Sequence, residues 1–243
     1  MASTCTKLPV MQQVIAPVAH HIPITTDIEF LLDGFSYVGP RNFNREKAFV
    51  QSIIRCITLK NQKLRIGVAT YGSQAHAHLR FNQHCSLGQA LQNINYIPFP
   101  DQAGRRVDRA LKASLKYFFS GTIRRCFVRH LVVVISGRQT ERSSVIFKRL
   151  RRLPWQFSRK GVQVYAVLVG KVGAVAREHL RRITYRKRNL YVVRSFKKLF
   201  SKVGAITLAI RQQMRKQQIY QHRRCLPDPR KGRGRADDKS KEW

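Results

Sequence analysis

The sequence predicts an α/β domain, with a central, mainly parallel sheet and helices on both of its faces. Two observations carry that class. Several strand-like segments are apolar throughout rather than alternating, as in "RHLVVVIS" (129–136) and "GVQVYAVLVG" (161–170), which is the pattern of strands covered on both sides. Between them the apolar spacing changes to a helical period, so strands and helices alternate along the chain. Parallel neighbours then require right-handed crossovers, and ligands of such sheets bind beyond the strand carboxyl ends.

The elements follow in order. Residues 1–26 are irregular, with prolines and histidines. "DIEFLLD" (27–33) is an apolar strand ending in a carboxylate, and "NFNREKAFVQSIIRCITL" (42–59) repeats Phe49, Ile53, Ile54 and Ile57 at helical spacing. "KLRIGVATYG" (63–72) is a second strand, and "AHAHLRFN" (75–82) alternates as an edge strand does. "SLGQALQNINYI" (86–97) is a short helix with Ser86 in the N-cap position. "RVDRALKASLKYFF" (106–119) puts Val107, Leu111, Leu115 and Phe118 on one helical face. The most apolar strand, 129–136, is expected at the centre of the sheet. A basic amphipathic helix, "SSVIFKRLRRLPW" (143–155), precedes the strand at 161–170. "AVAREHLRRIT" (174–184) is helical and "NLYVV" (189–193) a short strand. "SFKKLFSKVGAITLAIRQQM" (195–214) closes the fold as a helix, its inner stripe running from Phe196 and Leu199 to Ile210 and Met214. The domain is therefore 27–214, and the basic segment 215–243 is expected to be a disordered tail.

Charge is the anomaly. Lys and Arg total 47 against 12 Asp and Glu among 243 residues, a formal net charge of +35. Such a surface attracts polyanions: glycosaminoglycans, nucleic acids or anionic membranes. A hydrophobic content of 43% is high enough for a sizeable core. No apolar run reaches the roughly 20 residues that cross a bilayer. The first residues lack the charged start and uninterrupted apolar run of a secretory leader, which favours an intracellular chain or one whose leader is missing. Five cysteines include no C-x-x-C pair. Cys5 and Cys225 flank the core and form a candidate disulfide, while Cys56, Cys85 and Cys126 are expected as buried free thiols.

The segments "DIEFLLDGFSYVGPRNF", "LRIGVATYGSQAHAHLRFN", "SLGQALQNINYI", "GRRVDRALKASLKYFF", "RHLVVVISGRQTE", "GVQVYAVLVG" and "LYVVRSFKKLF" together resemble the von Willebrand factor type A domain, most like those of the collagen VI alpha chains. The resemblance implies a Rossmann-like, six-stranded sheet and a metal-ion-dependent adhesion site at its top. There a divalent cation would sit on an Asp-x-Ser-x-Ser loop, a Thr of a second loop and an Asp of a third. It also implies an extracellular-matrix or secreted protein, despite the absent leader.

Position by position the metal set is eroded. Asp33 matches the loop aspartate, but Phe35 and Tyr37 stand at the serine positions and Ser36 is one residue out of register. The second loop reads Arg105-Arg106-Val107-Asp108, without a hydroxyl, and the third reads Ile135-Ser136-Gly137-Arg138, without a carboxylate. Magnesium needs several well-placed oxygens, so Asp33, Ser36 and Ser136 form a vestigial loop, and no metal or other cofactor is expected. Arg105 or Arg106 could instead pair with Asp33.

His76 and His78 have a legitimate metal spacing, with His84 and Cys85 nearby, but no clear carboxylate or second thiol joins them. No P-loop, dinucleotide fingerprint or catalytic triad spacing is present, which argues against an enzyme. The polyanion-binding candidates are Arg124, Arg125 and Arg129; Lys148, Arg151 and Arg152; Arg181 and Arg182; and Arg186, Lys187 and Arg188. Arg binds sulfate and phosphate by forked hydrogen bonds. The expected function is a noncatalytic matrix-type interaction module that binds matrix proteins or glycosaminoglycans without metal. The alternatives are an intracellular nucleic-acid-binding protein and the product of a truncated or decayed collagen VI-like gene. The oligomeric state is open.

Overall fold

A computed structural model describes residues 25–57, 63–83, 86–104, 106–120, 127–136, 152–171 and 174–224. Six strands form one sheet: β1 (Thr25–Asp33), β2 (Lys63–Tyr71), β3 (Ala75–Leu79), β4 (Phe127–Ser136), β5 (Val162–Val169) and β6 (Leu190–Val193). Their spatial order is β3-β2-β1-β4-β5-β6, and every neighbouring pair is parallel except β2–β3. The expected central strand, β4, lies between β1 and β5, and the alternating segment is the antiparallel edge β3.

Six helices are described: α1 (Gly39–Ile57), α2 (Leu87–Asn95), α3 (Val107–Tyr117), α4 (Leu153–Arg159), α5 (Ala174–Ile183) and α6 (Val203–Arg224). Alternation along β1 separates two cores. Ile28, Phe30 and Leu32 face a core with Phe49, Ile53 and Ile54 of α1, Ala90 and Leu91 of α2, and Ile206, Ile210 and Met214 of α6. Leu31, on the opposite face, joins Leu111 of α3, Phe157 of α4 and Ile183 of α5. Burying a large apolar side chain is worth about 1.5–3 kcal/mol, so the stripe of α1 alone is a major anchor. Ser86 caps α2 as expected, its hydroxyl accepting from the Gln89 amide at 3.1 Å.

Three sequence expectations change. The last helix runs ten residues past Met214, to Arg224, and its first turns, Phe196–Lys202, are a 3₁₀ segment. The "LPWQFSR" segment is a helix of its own, α4, with Pro154 in its first turn, where a missing amide costs nothing. Cys56 is exposed on α1, one step off the apolar stripe, and not a buried thiol.

The cores also hold ionisable groups. Glu29 of β1 is fully buried, and its Oε1 accepts from Ser114 Oγ of α3 at 2.7 Å while Oε2 has no partner among the described residues. Burial pushes its pKa up to about 8, the Ser114 bond opposing. His130 of β4 is buried against the ring of Tyr165, neither ring nitrogen has a hydrogen-bond partner among the described residues, and burial pushes its pKa down to about 3. The signs oppose. Between about 4.5 and 8 the folded chain holds a Glu29 proton that the unfolded chain has lost, so stability falls as pH rises. Between about 3 and 6.5 the folded chain lacks a His130 proton that the unfolded chain carries, so stability falls as pH drops.

From pH 6.5 to 8 only the Glu29 contribution of this pair operates, at up to about 1.4 kcal/mol per pH unit. Glu29→Gln should therefore flatten the decline, gaining roughly 2 kcal/mol on wild type at pH 8 relative to pH 6.5. Urea unfolding at both pH values checks this, and parallel declines would refute it.

Candidate functional site

The sheet topology brings Asp33, Tyr71 and Ser136 to one rim, at the carboxyl ends of β1, β2 and β4. Asp33 is fully buried. Its Oδ1 accepts from the Phe35 amide at 3.2 Å, and its own amide donates to Glu46 Oε2 of α1 at 2.9 Å. Glu46 is also fully buried, and its pKa is raised well above the ordinary carboxylate value, first by burial and then by the nearby Asp33 charge, the bond from the Asp33 amide opposing. It ties α1 to the end of β1. The sequence contained a signal for it: Glu46 lies between Phe43 and Phe49 on the buried stripe of α1, where a solvent-facing carboxylate would not fall.

The rim is closed by residues 98–104. The Gly34 amide donates to Tyr71 O at 2.7 Å, the Ser36 amide to Gln102 O at 2.9 Å, the Gln102 amide to Gly34 O at 3.0 Å, and the Arg106 amide to Gly72 O at 2.7 Å. The Gln102 side chain reaches a third segment, its Oε1 accepting from Ser73 Oγ at 3.0 Å and from the Gln74 amide at 2.9 Å. Asp101 enters this turn with a positive φ of 48°, a conformation that Asp tolerates better than most residues. Nothing in the spacing of Gln102 marked it in advance, because its role depends on where the β1, β2 and α3 ends converge.

At the two serine positions of the vestigial loop, Phe35 is buried into the α1-side core, whereas Tyr37 is 64% exposed with its ring 5.3 Å from that of Phe35. Ser36 is half-buried and begins a short 3₁₀ turn. The Arg106 guanidinium forks onto Asp108, with both N–O distances 2.9 Å. Arg105, Gly137 and Arg138 lie outside the described residues, as does the side chain of Ser136. Among the described residues no three His, Cys, Asp or Glu side chains group as metal ligands. His76 and His78 are exposed on β3, and His78 Nε2 is 2.8 Å from Thr70 Oγ1; His84 and Cys85 are outside the described residues.

The basic candidates divide. Arg186, Lys187 and Arg188 are exposed in the turn entering β6, at the end of the sheet opposite Asp33. Arg181 is engaged by Glu178 through two 2.6 Å bonds, which lower the Glu178 pKa to about 2, and Arg182 approaches the same carboxylate at 3.4 Å. Arg152 is exposed at the start of α4. Arg129 lies in β4 with its side chain outside the description, and Arg124, Arg125, Lys148, Arg151, Cys5 and Cys225 fall outside it altogether.

Fold and rim define an α/β module with its loop site at the carboxyl edge of a doubly covered sheet. The chain belongs to the von Willebrand factor type A domain family, whose sequence model matches residues 27–203. It is 25% identical over 144 residues to the collagen alpha-4(VI) chain of Mus musculus, covering 58% of this chain and 6% of that protein. It is 24% identical over 152 residues to matrilin-1 of Gallus gallus, covering 60% and 29%. Its fold superposes on proximal thread matrix protein 1 of the mussel byssus with a TM-score of 0.66 at 17% identity, over 77% of this chain and 47% of that one. A further structure of that mussel protein has a zinc-occupied MIDAS motif. The chain thus spans less than a third of these curated relatives. It is a von Willebrand A domain homologous to matrix proteins.

The rim packs tightly at Gly34, where a Cβ would stand 2.7 Å from Pro100 Cγ. Gly34→Ala should lower stability by about 1–3 kcal/mol, the usual cost of overpacking. An unchanged urea midpoint would show that the rim yields without cost.

Proposed function

We propose that this domain is a noncatalytic interaction module of the matrix type, which holds polyanionic glycans through its cationic surface and needs no divalent ion at its rim. The observation that carries this reading is the position of the acidic residues. Asp27, Glu29, Asp33, Glu46 and Asp108 are buried, and of the described acidic residues only Asp101 and Glu178 reach solvent. Among the described residues, few carboxylates therefore stand at the surface beside the lysines and arginines of a chain whose formal charge is +35.

Metal independence has its own support. Asp33 is already engaged by the Phe35 amide, a phenyl ring and an outward phenol occupy the serine positions, and the rim is closed by main-chain hydrogen bonds around Gln102. Hard-cation sites need several oxygens in fixed geometry. The matrix homology favours a glycan over nucleic acid, and so does the covered sheet: single-stranded nucleic acids are commonly gripped by aromatic platforms. Here the exposed Tyr37, Tyr96, Trp155 and Tyr185 stand on separate elements.

Immobilised heparin should retain the protein beyond physiological salt, with retention falling steeply as salt rises because each contact releases counterions. Elution at or below physiological salt would reject the polyanion reading. EDTA should leave retention and thermal stability unchanged, and magnesium titrated by calorimetry should give no binding heat. Chelator-sensitive retention would overturn metal independence.

A further inference from the structure

Resting on that reading, we infer that the cleft between α6 and the β5–β6 edge binds one sulfated sugar residue of an acidic glycan, its sulfate held by Arg186, Arg188 and Lys216. The cleft follows from the two stripes of α6. Ile206, Ile210 and Met214 fill the core, while the adjoining stripe has Ala205 and Ala209, then Gln213 and Lys216. The small alanines leave a hollow of about 160 Å³ facing Tyr165 and Tyr191. That is below the roughly 300–1,000 Å³ of clefts that enclose a whole small molecule, and it suits one unit of a longer chain.

The lining is matched to a sulfated sugar in three ways. Among the described residues all of its charged lining groups are cations and none is a carboxylate, and Arg186, Arg188 and Lys216 are exposed. Guanidinium forks meet the terminal oxygens of a tetrahedral oxyanion. Its floor offers neutral donors. Tyr165 is 2% exposed yet lines the hollow. Burial pushes its pKa up, Tyr191 adding and Arg186 and Arg188 opposing, so the phenol keeps its proton to donate. Finally, Gln163, Gln212 and Gln213 bring amides that can both donate to and accept from sugar hydroxyls. A nucleobase commonly stacks on exposed aromatic rings, and both tyrosines of this hollow, Tyr165 and Tyr191, are buried or half-buried.

The test is calorimetry at fixed salt with three probes: a heparin-derived tetrasaccharide, its desulfated counterpart and a single-stranded oligonucleotide of equal charge. Three variants are compared. Ala205→Phe plugs the hollow without changing charge. Arg188→Ala removes one cation at the cleft, and Arg41→Ala removes one from an exposed position on α1. The sulfated tetrasaccharide should bind wild type, weaken about tenfold or more in Ala205→Phe and Arg188→Ala, and change within about twofold in Arg41→Ala. The desulfated probe should bind far less. If Ala205→Phe and Arg188→Ala both behave like Arg41→Ala, the cleft is refuted while the polyanion reading stands. If wild type binds no sulfated probe, the polyanion reading fails and takes the cleft with it. Oligonucleotide binding that is tighter and equally sensitive to Ala205→Phe would reassign the cleft to nucleic acid. Equal binding of the desulfated probe would refute the sulfate contact. Thermal unfolding verifies the fold of each variant, and if Ala205→Phe does not fold, the contrast of Arg188→Ala with Arg41→Ala decides.

Discussion

The structure depends on one constraint: β1 is buried along nearly its whole length and still carries Asp27, Glu29 and Asp33. A carboxyl removed from water must be paired, hydrogen-bonded or neutral. The chain uses each remedy. Asp27 is gripped by both arms of Arg65, at 2.7 and 2.8 Å, Asp33 accepts a backbone amide, and Glu29 is held towards its protonated form beside Ser114. Each solution engages another element, β2 for Asp27, the rim loop for Asp33 and α3 for Glu29, so β1 fastens the layers through polar groups as well as through packing.

The same constraint shapes the exterior. Among the described residues most carboxylates are drawn inside, so few stand beside the exposed lysines and arginines, and a free molecule so charged repels itself. Recognition that relies on such a surface is long-ranged and nonspecific at first contact. A shaped hollow beside it, such as the one under α6, adds the short-range fit that charge alone lacks.

Much of the fold was legible in the sequence because the strands are unusually apolar and the helical stripes clean. β4 and β5 read as covered strands, the alternation in 75–79 marked the antiparallel edge, and Ser86 announced a helix start. What escaped had local reasons. Pro154 and Trp155 read as the end of a helix, whereas Pro154 stands at the start of α4, where proline is tolerated. The polar stretch after Met214 lacks a core-facing stripe in sequence, yet α6 continues to Arg224. At the rim, the replaced serine positions could be read one by one. Glu46 was marked as buried by its place on the stripe of α1, but its partner at the end of β1 was not, and Gln102 carried no signal, since both contacts arise only when α1 and the 98–104 segment converge there. Tyr165 lies within the strand at 161–170 that read as covered on both sides, and its place in the cleft required knowing which stripe of α6 lies opposite.

The sheet finishes in two short borders, five residues of β3 and four of β6. An exposed border is an invitation to intermolecular pairing, and proteins commonly blunt it by brevity and by polar or cationic side chains. β3 has His76 and His78 along its outer run with Arg80 just after it, and β6 is entered through Arg186, Lys187 and Arg188. Copies crowded together on one scaffold would therefore find little unpaired main chain to zip onto, and each domain would keep its own fold while sharing a support.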